Sequence, residues 1–214
     1  LQKNNFINNW KNYFLTGSNK TEFVVTVIVL VAAVTALSRF LLFNESRTGA
    51  VLNDPVLNSF NAVSLNFVVF FAIYSSLVIG LIAFSFHPEQ LMTAFQTYTL
   101  LILLRMLAMY VIPLEPPANT IDLQDPVVFL IGTGQKITKD LFFSGHTSTA
   151  FLLFQVAKNK FLKSYFLLAT VTVGVSVILQ KAHYTIDVLA GIIFSYASYQ
   201  LIKSFRKTFL NKSD

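Results

Sequence analysis

Apolar residues along this 214-residue chain fall into runs that are long for the buried helices of a water-soluble fold. A helix needs roughly 20 mostly apolar residues to cross the hydrocarbon core of a bilayer. Three such runs come early, at Phe23 to Phe43, Val63 to Phe86 and Leu91 to Ile112. Three more follow a polar interval, at Phe142 to Ala157, Phe161 to Leu179 and Tyr184 to Ile202. The fourth run is short and opens on Ser-Gly-His-Thr, and the sixth carries Asp187 near its start. The pattern predicts an all-α polytopic membrane protein, with six transmembrane helices in one bundle. Residues 1–22 are expected to form an interfacial tail, 23–204 a membrane catalytic domain and 205–214 a basic tail.

The polar intervals differ in kind. Residues 44–62 hold Asn53-Asp54-Pro55, a turn signal, and only four residues, 87–90, join the second and third runs. The longest interval, 113–141, carries four of the six prolines. Loops of that length in a small protein are usually functional or disordered. Near the N-terminus Phe6, Trp10, Tyr13 and Phe14 approach helical spacing among Asn and Lys. A short helix in the headgroup layer and an unstructured tail both fit. The first apolar run is too long, and wrongly flanked, for a cleaved signal peptide.

Composition supports a lipid environment: 54% of residues are hydrophobic, 22 are Phe, and only 12% are charged, about half the usual charged share. With no cysteine, disulfides, thiolate zinc sites and thiol nucleophiles are excluded. The net charge of +6 lacks the basic runs interleaved with aromatics that nucleic-acid binding would need. It follows instead the bias of membrane loops. With six spans, ten of the sixteen Lys and Arg lie on the side of the termini, and seven of the ten acids lie on the other. The positive-inside rule then places both termini in the cytoplasm, and the 113–141 loop, His146 and His183 at the outer face.

Two of the three histidines stand in patterns that suit phosphoryl transfer. His183 and Asp187 are four apart, on one helix face. The carboxylate could fix the ring's tautomer and leave the other nitrogen to attack phosphorus. An incidental pair at a capped helix start is the competing reading, weighed against an Asp inside an apolar span. In Ser144-Gly145-His146-Thr147, Gly145 permits close backbone approach to a phosphate at a helix N-terminus. Ser144 and Thr147 add hydroxyls, and His146 could protonate a leaving oxygen. Arg105, inside the third run, either snorkels to the interface or clamps a phosphate. Lys181, Lys136 and Lys139 are weaker phosphate candidates. Asp140 could orient His146 or bind an acceptor. His87, in a His-Pro turn on the opposite side, reads as structural. Glu115, Asp122 and Asp125 could meet a cationic head group or a metal, but lack the spacing of a calcium loop.

These motifs resemble those of the type 2 phosphatidic acid phosphatase superfamily. Ser144-Gly145-His146 followed by His183-x3-Asp187 looks like its second and third motifs. Asp140-x3-Ser-Gly-His-Thr and His183-Tyr184-Thr185-Ile186-Asp187-Val188 are similar to signatures of the sphingomyelin synthase-like branch. Arg105 with Met109-Tyr110 resembles that branch's third helix, and Asn53-Asp54-Pro55-Val56-Leu57 resembles a loop of bacterial members. The resemblance implies His183 as nucleophile, Asp187 as its support and His146 as the assistant to leaving-group departure, with Tyr184 and Tyr110 beside the acceptor. It implies no cofactor and no metal, and a bacterial inner-membrane location with the site facing the periplasm or outside. The superfamily's Lys-x6-Arg-Pro motif is missing, and Val177 stands where an Arg would precede the third motif. Thr138-Lys139 replaces the branch's Cys-Gly. The expectation is a lipid phosphotransferase with a phospholipid donor and a lipid-alcohol acceptor, ceramide or diacylglycerol in type. Hydrolysis at the same site is the alternative, and a non-enzymatic transporter the third reading.

Overall fold

The computed structural model describes residues 6–123, 125, 126 and 134–210. Part of the long 113–141 interval and both extreme tails lie outside them. Among the described residues the regular elements are all helices: α1 (Phe6–Tyr13), α2 (Gly17–Glu45), α3 (Asn66–Ser85), α4 (Pro88–Val111), α5 (Gly145–Val156), α6 (Lys160–Leu179) and α7 (Thr185–Phe205). A 3-10 turn at Leu57–Ser59 follows α2, and a π-helical turn, Arg206–Leu210, continues α7. Helix starts follow local chemistry. Pro88 occupies the first turn of α4, where its missing N–H is no loss. Asn159 accepts the Phe161 and Leu162 N–H groups at the head of α6.

Five of these helices, α2, α3, α4, α6 and α7, are long and apolar enough to cross a membrane. Their exposed faces carry Val24, Ile28, Phe67, Phe71, Leu107, Leu168 and Ile193, as an integral membrane protein requires. The expected fourth span is different. α5 has 12 residues, about 18 Å at 1.5 Å per residue, against a hydrocarbon core of about 30 Å. The chain on either side of it, at 139–144 and 157–159, is not helical. The apolar run was longer than the helix because Leu141, Phe142 and Phe143 enter the core as irregular, non-helical chain, with Leu141 and Phe143 fully covered. α5 is the inner element of the bundle, packed on α6 and α7, while α2 lies on α4 and α3 on α6.

The loops sort onto two faces as the alternation of spans requires. On one face Trp10 Nε1 donates to Ser85 O (2.8 Å) and Asn9 Nδ2 to Phe86 O (2.7 Å), so α1 packs beneath the α3–α4 turn. There Glu22 meets three partners. Tyr13 donates its hydroxyl (2.8 Å), Gln96 donates its amide (2.8 Å), and Arg206 forms an ion pair. Burial, and then the bond to Glu22, pushes the Tyr13 phenol well above its ordinary pKa. α2 therefore starts six residues before Phe23, because Glu22 has buried partners that hold a polar turn inside the protein.

On the other face the α2–α3 and α4–α5 connections pair with each other. The Ala50 N–H donates to Pro113 O and the Glu115 N–H to Ala50 O, each at 2.9 Å. Gly49 is required beside them, since a Cβ there would lie 2.5 Å from the Leu114 carbonyl carbon. Tyr184 joins this layer: its hydroxyl donates to Glu115 O (3.0 Å) and accepts from the Leu52 N–H (3.2 Å).

Candidate active site

The site forms where α5 and α7 begin. The Ser144 N–H donates to Asp187 O (3.0 Å), which sets the head of α5 level with the first turn of α7. Ser144 is the N-cap of α5, fully buried, its hydroxyl 3.1 Å from that of Thr147. These two hydroxyls satisfy each other and the helix start.

His183 follows a tight turn at the end of α6. Its Nδ1 lies 3.3 Å from Asp187 Oδ2, which also accepts the Tyr184 N–H (3.1 Å). Asp187 is completely buried and His183 is 3% exposed. The carboxylate therefore holds both the ring, through Nδ1, and the backbone that carries it. Asp187 Oδ1 is buried with no hydrogen-bond partner, a feature that in a native protein calls for a functional explanation.

His146, in the first turn of α5, has a carboxylate of its own. Asp125 Oδ2 lies 3.0 Å from His146 Nε2, and the Tyr74 hydroxyl of α3 donates to Asp125 Oδ1. Phe70 sets the edge-to-face wall of the ring, with centroids 6.1 Å apart. His146 Nδ1 is buried and has no partner. Each histidine thus has one nitrogen tied to an aspartate.

Arg105 does not snorkel. It is 8% exposed, its Nε donating to Phe143 O (2.9 Å) and its Nη2 to Asp140 Oδ1 (2.5 Å). Its guanidinium lies flat against Gly145, where a Cβ would come within 2.4 Å of Nη1. This explains the glycine of the motif in steric terms: any side chain at 145 would expel the arginine from the head of α5.

The segment carrying Asp140 is held by the end of α2. Glu45 accepts the N–H groups of Thr138 and Lys139 (2.9 Å each) and the Thr138 hydroxyl (2.6 Å), while Asn44 donates to Lys139 O (2.8 Å). Lys139 Nζ reaches Glu115 Oε1 (2.8 Å) and Arg47 O (2.6 Å). That hydrogen bond from Lys139, then one from the Gly49 N–H, holds the Glu115 carboxyl below the usual carboxylate range. α7 is anchored in the same way. Asp54 accepts the Thr185 N–H (2.7 Å) and hydroxyl (3.2 Å). Burial pushes the Asp54 carboxyl up, but the Thr185, Leu57 and Val56 hydrogen bonds outweigh it and hold its pKa low.

His146 and His183 open onto one cavity of about 370 Å³, with Asp122, Asp125, Asp140 and Lys136 also on its wall. Lys136 is ion-paired with Asp122, and Arg105 stands behind Asp140. Carboxylates therefore outnumber the cations near the histidines. Among the described residues no cluster of His, Asp and Glu is arranged to hold a metal ion.

Some expected site residues lie elsewhere. Lys181 takes a left-handed backbone (φ 55°) that turns its side chain away, with Nζ 5.5 Å from the Phe60 ring centroid; it does not line the cavity. Tyr110 is exposed, its ring 5.1 Å from the Arg47 guanidinium, which also donates to Met109 O and Tyr110 O at the end of α4. Tyr184 is buried in the loop layer, and Thr147 is engaged with Ser144. Tyr74 and Glu45 are site contacts with no signal in the sequence: Tyr74 is a tyrosine among apolar neighbours, 51 residues from its partner, and Glu45 ends an apolar run 93 residues before Thr138.

Residues 139–204 match the model of the PAP2 superfamily C-terminal region. That stretch holds Asp140, His146, His183 and Asp187, while Arg105, Asp125 and Tyr74 lie before it. No curated protein matches the chain at a significant level.

Proposed function

We propose that this chain is a membrane-embedded lipid phosphotransferase that moves a phospho-head group from a phospholipid to a lipid alcohol through a phosphohistidine at His183. The match over residues 139–204 supports a lipid phosphatase or phosphotransferase type of chemistry. The observation that carries the reading is the pair of histidines on one cavity wall, each tied by one nitrogen to an aspartate.

In the first step His183 Nε2 attacks phosphorus and the bond from phosphorus to the diacylglycerol oxygen breaks. His146, protonated on both nitrogens, gives its Nδ1 proton to that oxygen. Asp187 and Asp125 balance the charge on the two rings. In the second step an acceptor hydroxyl gives its proton to His146 while its oxygen attacks phosphorus. The phosphorus–nitrogen bond breaks and His183 is restored.

Transfer is favoured over removal of a terminal phosphate by the charge of the cavity. A phosphate monoester carries close to two negative charges at neutral pH and a diester carries one. With Arg105 and Lys136 both paired to acids, the site suits the diester and the cationic or neutral head group beyond it. The outer-face orientation, supported by the distribution of Lys and Arg, and a bacterial inner membrane, supported only by the resemblance of residues 53–57 to a loop of bacterial members, belong to the same proposal.

The test is product analysis with head-group-labelled phospholipid in mixed micelles, with and without ceramide. Labelled ceramide product, dependent on His183, supports transfer. Release of water-soluble phospho-head group alone, unchanged by ceramide, would assign a phospholipase C-type hydrolase, and inorganic phosphate alone from a monoester donor would assign a phosphatase. An unaltered lipid pool with transport that survives His183→Ala would point to the non-enzymatic reading.

A further inference from the structure

Three lysine or arginine side chains are buried among the described residues, and two of them are paired with acids. Arg105 meets Asp140, and Arg206 meets Glu22. Lys181, 7% exposed, has no carboxylate or other hydrogen-bond acceptor for its ammonium among the described residues. The Phe60 ring, its centroid 5.5 Å from Nζ, covers one side and accepts no conventional hydrogen bond from the three donors. A buried charge left without a counter-ion is costly. Its backbone adds to that cost, since φ is 55°, a conformation that L-residues with a Cβ enter at a penalty. The turn is nevertheless pinned there. The Thr120 hydroxyl donates to Lys181 O (2.7 Å), and the Lys181 N–H donates to Ile178 O (2.8 Å).

Lys181 borders a cavity of about 300 Å³ that is separate from the one shared by the histidines. One wall divides the two. Ala182 and His183 line the histidine cavity, whereas Lys181 and Tyr184 line the other, and Thr120 is divided from Pro117 and Ala118 in the same way. Asp54 also borders the second cavity. Its carboxylate already accepts the Val56, Leu57 and Thr185 N–H groups and the Thr185 hydroxyl. At the mouth, Asn53 accepts from Asn58 (2.9 Å) through its carbonyl oxygen, which leaves its own amide hydrogens to donate. Val51 and Leu52 form an exposed apolar lip.

We infer that this cavity binds the phosphodiester group of a phospholipid, with Lys181 as its counter-charge and the Asn53 amide as a second donor. The site is an accessory one, on the reverse of the wall that carries His183. Lys181 lies between the end of α6 and the start of α7, the level at which membrane-crossing helices meet the headgroup layer. With that depth, the apolar lip favours a lipid over a soluble anion. The Asp54 charge on the wall suits the single negative charge of a diester better than the nearly double charge of a monoester. About ten water-sized groups fill the volume, room for a phosphate and the glycerol beside it.

The full chain, stripped of phospholipid in a maltoside detergent, is titrated with micellar dioleoylphosphatidylcholine and, separately, with soluble glycerophosphocholine. Retained lipids are counted by native mass spectrometry, and stability is followed by thermal unfolding. Lys181→Met should remove one phospholipid from the count, and Lys181→Arg should keep it. In the stripped protein Lys181→Met should raise the unfolding midpoint, because an uncompensated charge is gone. The same variant should lose the part of the lipid-induced rise that wild type owes to this site. Asn53→Asp leaves Lys181 in place, replaces a donor with a negative charge and should weaken binding by about tenfold. Lys158→Gln, at the opposite face of the bundle, should match wild type. Only differences between variants are read, so the result stands whether or not a donor reacts at His183. A rise with glycerophosphocholine equal to that with the lipid would keep the anion site and overturn its lipid source. Equal lipid counts in Lys181→Met and wild type, or a lower midpoint in the stripped Met variant, would overturn the inference and leave Lys181 as a partner of Phe60 alone.

Discussion

The two ends of the bundle each bury an arginine against a carboxylate, and the resulting clusters differ in what they leave unfinished. At the end near the termini, Glu22 has Tyr13 on one oxygen and Gln96 with Arg206 on the other, and Gln96 also donates to Thr26 (3.0 Å) and accepts from Arg206 (3.0 Å). These partners close on one another and tie α1, α2, α4 and the end of α7 together. At the other end, Arg105 and Asp140 also pair, yet His146 Nδ1 and Asp187 Oδ1 remain buried and unpartnered, and His146 and His183 line an open cavity. Polar groups buried for stability satisfy one another. Groups kept for a substrate hold back part of their bonding capacity. Thr97 Oγ1, Gln155 Oε1 and Ser198 Oγ are also buried without partners, so what separates the clasp from the site, where both use Arg, Asp or Glu and Tyr, is the cavity onto which the two histidines open.

The sharpest way to break this contrast is His183→Ala. If His183 is the nucleophile proposed above, its removal should lower turnover by about 10⁴-fold or more, with the unfolding midpoint in detergent close to wild type. A large loss of stability with proportionate loss of turnover would make the site merely structural. The opposite change is Arg206→Ala, which leaves Glu22 buried without its cation. It should cost about 3 kcal/mol of stability, read by thermal or denaturant unfolding, while activity per folded molecule holds. A selective loss of activity would show the clasp to be coupled to the chemistry.

A smaller effect sharpens the comparison within the site. Asp125→Asn keeps a hydrogen bond to His146 but removes the charge, and should lower kcat by about a hundredfold with little change in KM. An equal effect on unfolding would mark the Tyr74–Asp125–His146 chain as a brace. The smallest effect concerns the anchor of α7. The folded-state pKa of Asp54 is depressed, so its stabilisation is present above the unfolded value near 3.8 and is lost as pH falls through the lower folded value. Unfolding followed between about pH 5 and 2 should show a shallower acid loss in Asp54→Asn than in wild type; identical slopes would remove Asp54 from that role.

The spans were legible because lipid demands long apolar runs, and five of them match helices to within a few residues apart from the early start of α2. α5 was read as a span because Leu141-Phe142-Phe143 is apolar, and hydropathy does not separate a core-entering irregular segment from a helical turn. His146, His183 and Asp187 were legible through spacing, and Arg105 through the cost of charge in an apolar run. Their partners were not. Tyr74 and Glu45 look like ordinary helix residues, Asp125 stood out only as a possible head-group or metal contact and Asp54 only as part of a turn, and their roles as partners appear only when connections 51 to 131 residues apart meet. Lys181 looked well placed two residues before His183, but a positive φ redirects it to Phe60.

The attachment of Glu45 and Asn44 to residues 138 and 139 makes the end of α2 a fixed mount for the segment that presents Asp140 to Arg105. One carboxylate holds two successive backbone N–H groups of that segment, so the position of Asp140, and with it the direction of the Arg105 guanidinium, is set by a helix end that lies 93 residues before Thr138 in the chain.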